Sequence, residues 1–342
     1  SGVGTQTKYV IEALLKTGNF NVISLGGAVK HNDYTPTKVE GYKGSWEIFP
    51  IDGYGNQQLI KSFISERKPD ILYFMTDPRF YEWLWSIDDT VRQNVPMVYY
   101  HVWDNYPYPQ FNQRFYESND VIATISKVTS DIVQTVAPSV EEHYVPHAVD
   151  SNIFKPRPEN EVQELLKLNK PLQDRFIFLW NNRNARRKQT GSLLFWFKEF
   201  LDLDEVDRDK VSLFMHTDSN DQHGQPLKYI IEQLGFQEGE VILSENKLKP
   251  QDLSLIYNMA DCTINISDAE GFGLATLAML EMYKKTPDER KELGRMGQEH
   301  VKKNYSFENF EKQWVDLMTS VHENHGSWET RKNYNNIKVE VI

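Results

Sequence analysis

Residues 268–277 read DAEGFGLATL, and their order suggests a chemistry. A carboxylate, Glu270, stands directly before the Gly271-Phe272-Gly273 turn. An apolar run, Cys262 to Ile266, leads in, and a helix-competent segment leads out. Glycines let backbone come close to a ligand, and the N-terminus of a following helix offers unpaired N–H groups to an anion. The carboxylate can accept hydroxyl hydrogens or steady positive charge beside that anion. An anion joined to a polyhydroxylated group is the chemistry of a nucleotide sugar, although a glycine-rich strand-to-helix turn with a nearby acid is also common in α/β proteins.

A second segment adds positive charge. Residues 176–189 read FIFLWNNRNARRKQ, so a β-like run ends at Trp180 and a basic loop follows at once. Arg183, Arg186, Arg187 and Lys188 form the densest cationic cluster of the chain. Arginine offers a planar fork to phosphate oxygens and lysine a compact charge. A solvated basic turn is the plainer alternative, and a nucleic-acid patch is a third. The opening residues SGVGTQTKYVIEALL suggest a glycine loop, Gly2-Val3-Gly4, feeding a helix capped by Thr5.

The stretch MVYYHVWDNYPYP (97–109) places His101 at the end of a β-like run and Asp104 three residues later. A histidine there can bond a substrate or move a proton, though most isolated histidines are satisfied structural residues. Asp202-Leu203-Asp204 has a form that can hold a divalent ion, but neighbouring acids favour a charged turn. No spacing in the chain suggests a resident metal, and none suggests a cofactor.

Composition limits the partners. The 342 residues carry 38 Lys+Arg against 49 Asp+Glu, a net charge of −11 that repels nucleic acid in bulk. An anionic ligand therefore needs a local basic cluster. Eight Trp and seventeen Tyr could face sugar rings or fill a core. The lone Cys262 reads as a small buried hydrophobe, with a cytoplasmic protein as the natural inference. No segment approaches the ~18 apolar residues of a membrane span.

The elements that must position these residues alternate. Strands are expected at Asn21–Leu25, Ile71–Met75, Met97–Tyr100, Val121–Ile125, Phe176–Trp180, Val211–Met215, Val241–Leu243 and Cys262–Ile266. Helices are expected at Thr5–Lys16, Gln57–Glu66, Lys127–Val136, Gly191–Phe200 and Leu227–Leu234. This alternation predicts parallel sheets covered on both faces. The proline- and charge-rich stretch near 154–171 reads as a linker, so two doubly wound domains with a cleft between them are expected. Phe307, Phe310, Trp314, Leu317 and Met318 form a helical stripe after the candidate N-cap Ser306. The segment 337–342 could add an edge strand.

In order along the chain, these segments resemble the group 1 glycosyltransferases, family 4. The resemblance rests on SGVG, KPDILYF (68–74), YYHVWDN, DVIATISKVTSDIV (120–133), YVPHAVDSNIFKP (144–156), the Arg183-x4-Lys188 spacing and ISDAEGFGLATL. It implies a GT-B fold: two Rossmann-like domains facing a cleft. The implied domains are 1–156 (acceptor side), a linker at 157–172, 173–305 (donor side), and a helix and tail at 306–342 packing back on the first domain. It implies retaining, metal-independent transfer from a UDP-, GDP- or ADP-sugar to an unknown acceptor, which could be glycan, protein, lipid or small molecule.

The resemblance also assigns roles. Arg183 and Lys188 would neutralise the leaving diphosphate, aided by the N–H groups of Gly273 and Leu274. Glu270 would hold the donor sugar, and His101 would lie near the transferred sugar or acceptor. Gly2, Val3, Gly4, Asp104, Asn182, Ser267, Gly271, Phe272, Gly273, Leu274 and Thr276 would line the substrates. Asn182 replaces a common glycine, His147-Ala148 the usual Asn-Gly, and Ala278 the second glutamate that binds the ribose. The pattern implies that a strand before Ser1 and roughly 50 residues near Leu277 and Ala278, one to two βα units, are absent. The alternatives are a GT-B epimerase or phosphorylase, and a catalytically silent nucleotide-sugar-binding or scaffolding protein.

Overall fold

The computed structural model describes residues 2–27, 30–266, 275–332 and 334, and no side chain of residues 275–278. The chain divides into two compact units. Unit 1 comprises 1–149 and 304–342, and unit 2 comprises 150–303.

Unit 1 opens with α1 (Gly2–Thr17), followed by β1 (Val22–Gly26), β2 (Thr37–Val39), β3 (Trp46–Pro50) and α2 (Gln57–Arg67). Then come β4 (Leu72–Met75), two short helices, α3 (Glu82–Trp85) and α4 (Asp88–Arg92), and β5 (Met97–His101). The short helix α5 (Gln113–Glu117), β6 (Val121–Thr124), α6 (Lys127–Val136) and β7 (Glu141–Tyr144) complete this part. Strands β4-β5-β6-β7 form one fully parallel sheet. β1 and β3 pair in parallel in a second sheet, with β2 antiparallel at its edge. All residues of β5 and β6 are buried, as expected of parallel strands covered on both faces. Helix α6 starts at a capping box in which Ser126 and Thr129 exchange bonds.

Unit 2 contains α7 (Glu159–Leu168), β8 (Phe176–Asn181), α8 (Thr190–Leu201), β9 (Val211–His216) and α9 (Leu227–Gln233). It continues with β10 (Val241–Ser244), α10 (Pro250–Met259), β11 (Cys262–Thr263), α11 (Ala275–Lys284) and α12 (Pro287–Asn304). Its single sheet has the order β10-β9-β8-β11 and is parallel throughout.

Helix α13 (Phe307–His325) returns to unit 1. Ser306 caps it by accepting from the Asn309 N–H at 3.3 Å. Phe310, Trp314, Leu317, Met318 and Val321 are buried against Val10 and Leu14 of α1 and against Val98 and Tyr100 of β5. Trp314 meets Tyr73 and Tyr100 edge-on, with centroids 5.5 and 4.8 Å apart.

Three expectations change. The stretch expected as a linker, 157–172, is folded: Val162, Leu165 and Leu166 of α7 form a short stripe packed with Leu172, Ile177, Phe214 and Ile256. Residues 2–4 are not a loop but the first turn of α1. Val3 lies on the face of Val10 and joins the same core cluster, so helix formation is rewarded from the start and Thr5 is interior rather than a cap. Helix α11 runs unbroken through Leu277 and Ala278, the opposite of the break that an absent segment predicts, and Met279 is buried in the core beside α8. The possible edge strand at 337–342 lies outside the described residues.

Candidate functional site

In parallel α/β sheets, ligands collect at the C-terminal strand ends. In unit 2 those ends carry the loops after β8, β9, β10 and β11. The backbone of β8 stops at Asn181, and residues 182–189 turn back toward α8 through a short 3-10 turn at Arg186–Lys188. Gln189 closes that turn with φ +53° and sits before α8 without a side-chain cap.

The missing cap comes from the neighbouring loop. The Gly191 N–H donates to Gln225 Oε1 at 2.6 Å. A Cβ on Gly191 would lie 2.8 Å from the same amide, so a larger residue there would push the Gln225 side chain away. Asn184, fully buried, donates from Nδ2 to the Gln225 carbonyl (2.8 Å) and accepts from the Gln225 N–H at Oδ1 (3.1 Å). Gly224 must be glycine, because a Cβ there would lie 2.2 Å from the Asn184 backbone carbonyl oxygen. The Arg186 N–H donates to the His223 carbonyl at 3.3 Å. The β8 and β9 loops are thus tied together along their length.

Arg183 extends from this framework, its side chain 63% exposed, and pairs in a two-toothed fashion with Asp221. Nε and Nη2 donate to the two carboxylate oxygens at 2.5 and 3.1 Å. The guanidinium, seconded by the His223 N–H, holds the Asp221 carboxyl down at about 2. The Arg183 partner is therefore a carboxylate of its own unit. Arg186 and Arg187 are exposed and Lys188 half-buried.

On the other side of β8, Asn182 Nδ2 donates to Asn265 Oδ1 at 3.2 Å. β8 and β11 are paired neighbours, with Phe178 opposite Cys262. The basic loop therefore stands beside the strand end that leads directly into residues 267–274. Asn181 Nδ2 also reaches the Tyr257 hydroxyl of α10, at 2.9 Å. Ser267, Glu270, Gly271, Phe272, Gly273 and Leu274 lie outside the described residues; Thr276 falls in α11, with its side chain undescribed.

The other expected residues belong to unit 1. His101 ends β5 and is fully buried. Its Nε2 lies 2.7 Å from the Tyr116 hydroxyl, which also accepts from Asn112 Nδ2 at 3.3 Å. Burial depresses its pKa to about 3, so the ring is neutral at physiological pH and serves as a hydrogen-bonding group rather than a cation. Asp104 is exposed on the following loop, and Gly2, Val3 and Gly4 are helical. Asp202 is taken by Lys198 (2.6 Å) and Arg208 (3.0 Å), a charged turn. No cluster of three His, Cys, Asp or Glu suited to a metal occurs among the described residues. A cavity of about 420 Å³ touching Pro171, Gly239 and Val241 opens at the opposite, N-terminal end of the strands.

Sequence reasoning missed Asn184, Asp221, Gln225 and Asn265. The pairs they form span 38 to 83 positions, so no local spacing reveals them. The one usable signal was Gly224, isolated among polar residues before a proline.

The sequence matches no family model and no curated protein. Solved structures do resemble it. The α,α-trehalose 6-phosphate synthase of Burkholderia multivorans superposes with a TM-score of 0.70 at 11% identity, over 94% of this chain and 95% of that one. A glycosyltransferase from Rickettsia africae gives 0.62 at 13%, over 81% and 86%. Anabaena HepE, solved in complex with UDP and glucose, gives 0.58 at 13%, over 81% and 87%. The chain has the α/β fold of the GT-B glycosyltransferases. Among the described residues, no helix is long and apolar enough to cross a membrane.

Proposed function

We propose that this chain is a retaining glycosyltransferase of the group 1 type, moving a sugar from a nucleotide-diphosphate donor to an acceptor without a metal ion. The observation that carries the reading is the Asn182–Asn265 contact, which sets the basic loop after β8 beside the strand end entering the Glu270 segment. An anion-binding loop and a sugar-binding carboxylate then belong to neighbouring strand ends of one sheet. The fold shared with trehalose-phosphate synthases, and with HepE solved with UDP and glucose, supports the same chemistry.

The demand on the site is physical. As the glycosidic bond to the diphosphate breaks, negative charge grows on the leaving oxygens. Fixed cations stabilise that state more than the ground state, and this difference accelerates transfer. Lys188, Arg186, Arg187 and Arg183 supply the cations, and the Gly273 and Leu274 N–H groups add donors. Glu270 holds the donor sugar hydroxyls. Asn182 orients the loop, and Ser267, Gly271, Phe272 and Thr276 shape its surroundings. His101 is proposed for the acceptor side as a neutral hydrogen-bonding group, its Nε2 held by the Tyr116 hydroxyl, with Asp104 nearby in sequence. A cytoplasmic location fits a single-cysteine chain using nucleotide sugars.

The test is donor turnover and binding. Glu270→Ala should abolish transfer while the far-UV spectrum and melting point stay in place; full turnover in that variant refutes the role. Lys188→Ala should weaken nucleoside-diphosphate binding by calorimetry, and equal affinity removes the loop from the site. A thermal-shift panel of nucleotide sugars identifies the donor, because a ligand that binds only the native state raises its melting point.

A further inference from the structure

The geometry points to Asp221 as an internal competitor for the donor diphosphate: its carboxylate occupies the Arg183 fork that phosphate oxygens would otherwise take, and the donor binds by displacing it. This rests on the phosphate-binding reading of the β8 loop. A two-toothed Arg–carboxylate pair matches the pattern of an Arg–phosphate pair, so the two anions compete for the Nε–Nη2 edge of the guanidinium, the edge that Asp221 holds. Asp221 is held for the purpose. Its side chain is only 11% exposed, and its Oδ1 also accepts from the His223 N–H at 2.9 Å. Its carbonyl accepts from the Gly224 N–H at 2.8 Å, next to the Asn184–Gln225 tie. Arg183, by contrast, has a mostly exposed side chain that Asp221 alone holds through an ion pair among the described residues. The carboxylate is the partner tied to the backbone, and the cation is the one that reaches into solvent.

The surroundings make the exchange possible. Asp218 adds further negative charge near Arg183. Of the four cations of the loop, Arg183 is the one with an ion pair among the described residues. A diphosphate meets Arg186, Arg187 and Lys188 first, and gains the fourth cation by releasing it from Asp221. After transfer the carboxylate recaptures Arg183 and helps expel the nucleoside diphosphate. Asp221 is thus a positioning residue that acts through Arg183, lowering product affinity and so speeding release.

The test is calorimetry with inorganic pyrophosphate on the full chain. Asp221→Asn keeps the oxygen that accepts from His223 and removes the charge. It should bind pyrophosphate about three- to tenfold more tightly than the parent, and the gain should vanish in Asp221→Asn/Arg183→Gln. In turnover the same variant should show a lower donor KM together with a lower kcat. Equal or weaker pyrophosphate binding by Asp221→Asn, with the parent still binding, means that Asp221 merely orients Arg183 and overturns the inference. Failure of the parent and of every variant to bind pyrophosphate overturns the phosphate reading itself. Should Asp221→Asn not fold, the parent carries the test alone. The Arg183 Nε–H resonance must shift as pyrophosphate is added, and a fixed resonance during binding refutes the exchange.

Discussion

Asn184 and Gln225 exchange two hydrogen bonds across 41 residues, each using a side-chain amide on one partner and backbone on the other. This exchange fixes the β8 loop to the β9 loop and so sets where Arg183 begins.

Asn184→Leu removes both bonds and leaves the Gln225 N–H and C=O without partners in a part-buried place. The expected cost is about 2 kcal/mol in urea unfolding. Gly224→Ala should cost a similar amount, about 1–3 kcal/mol, by overpacking against the Asn184 carbonyl. Both should weaken pyrophosphate binding although neither residue is charged. Stability loss with untouched binding would show that the tie does not position the cations.

Acid should destabilise the fold well above the carboxylate range. Burial depresses His101 to about 3 and His147 to about 4. In the unfolded chain both return to about 6.5. Between those values the unfolded state binds protons that the folded state refuses, so stability falls as pH falls from about 6.5. Each histidine removes about 2 kcal/mol by pH 5. Urea midpoints at pH 7 and pH 5 read this directly, and His147→Phe should flatten the slope by one proton. A parent protein equally stable at both pH values contradicts the buried, neutral state of these rings.

Trp314→Ala should cost about 3–5 kcal/mol, the usual range for emptying a buried indole site. Trp314→Phe should cost much less. The indole Nε1 makes no hydrogen bond among the described residues, so the ring matters for its volume. Comparable losses in the two variants would mean that the N–H has a partner after all.

Much of the fold was legible because doubly covered parallel strands read as apolar runs. FIFLW, VSLFM and MVYY were each placed to within a residue or two of β8, β9 and β5. β7, with sequence EEHY, has no apolar residue besides its tyrosine and lies at a sheet edge, so nothing in its composition announced it. Helix α7 was hidden because its stripe, Val162, Leu165 and Leu166, is short and set among charges and prolines. At the site, the basic loop and its place after a strand were visible from residue type alone. Its neutralising partner was not, because Asp221 reaches Arg183 only once β8 and β9 lie side by side.

The polypeptide leaves unit 1 at Val149 and re-enters at Asn304, where the Val149 N–H meets the Tyr305 carbonyl at 3.2 Å. Emerging from a ribosome, unit 2 has all of its strands in hand before α13 exists. Unit 1 must wait with the slot between Tyr73 and Tyr100 open until Trp314 is synthesised. In order of synthesis the core of unit 1 is therefore begun first and completed last, with α13 as its closing stitch.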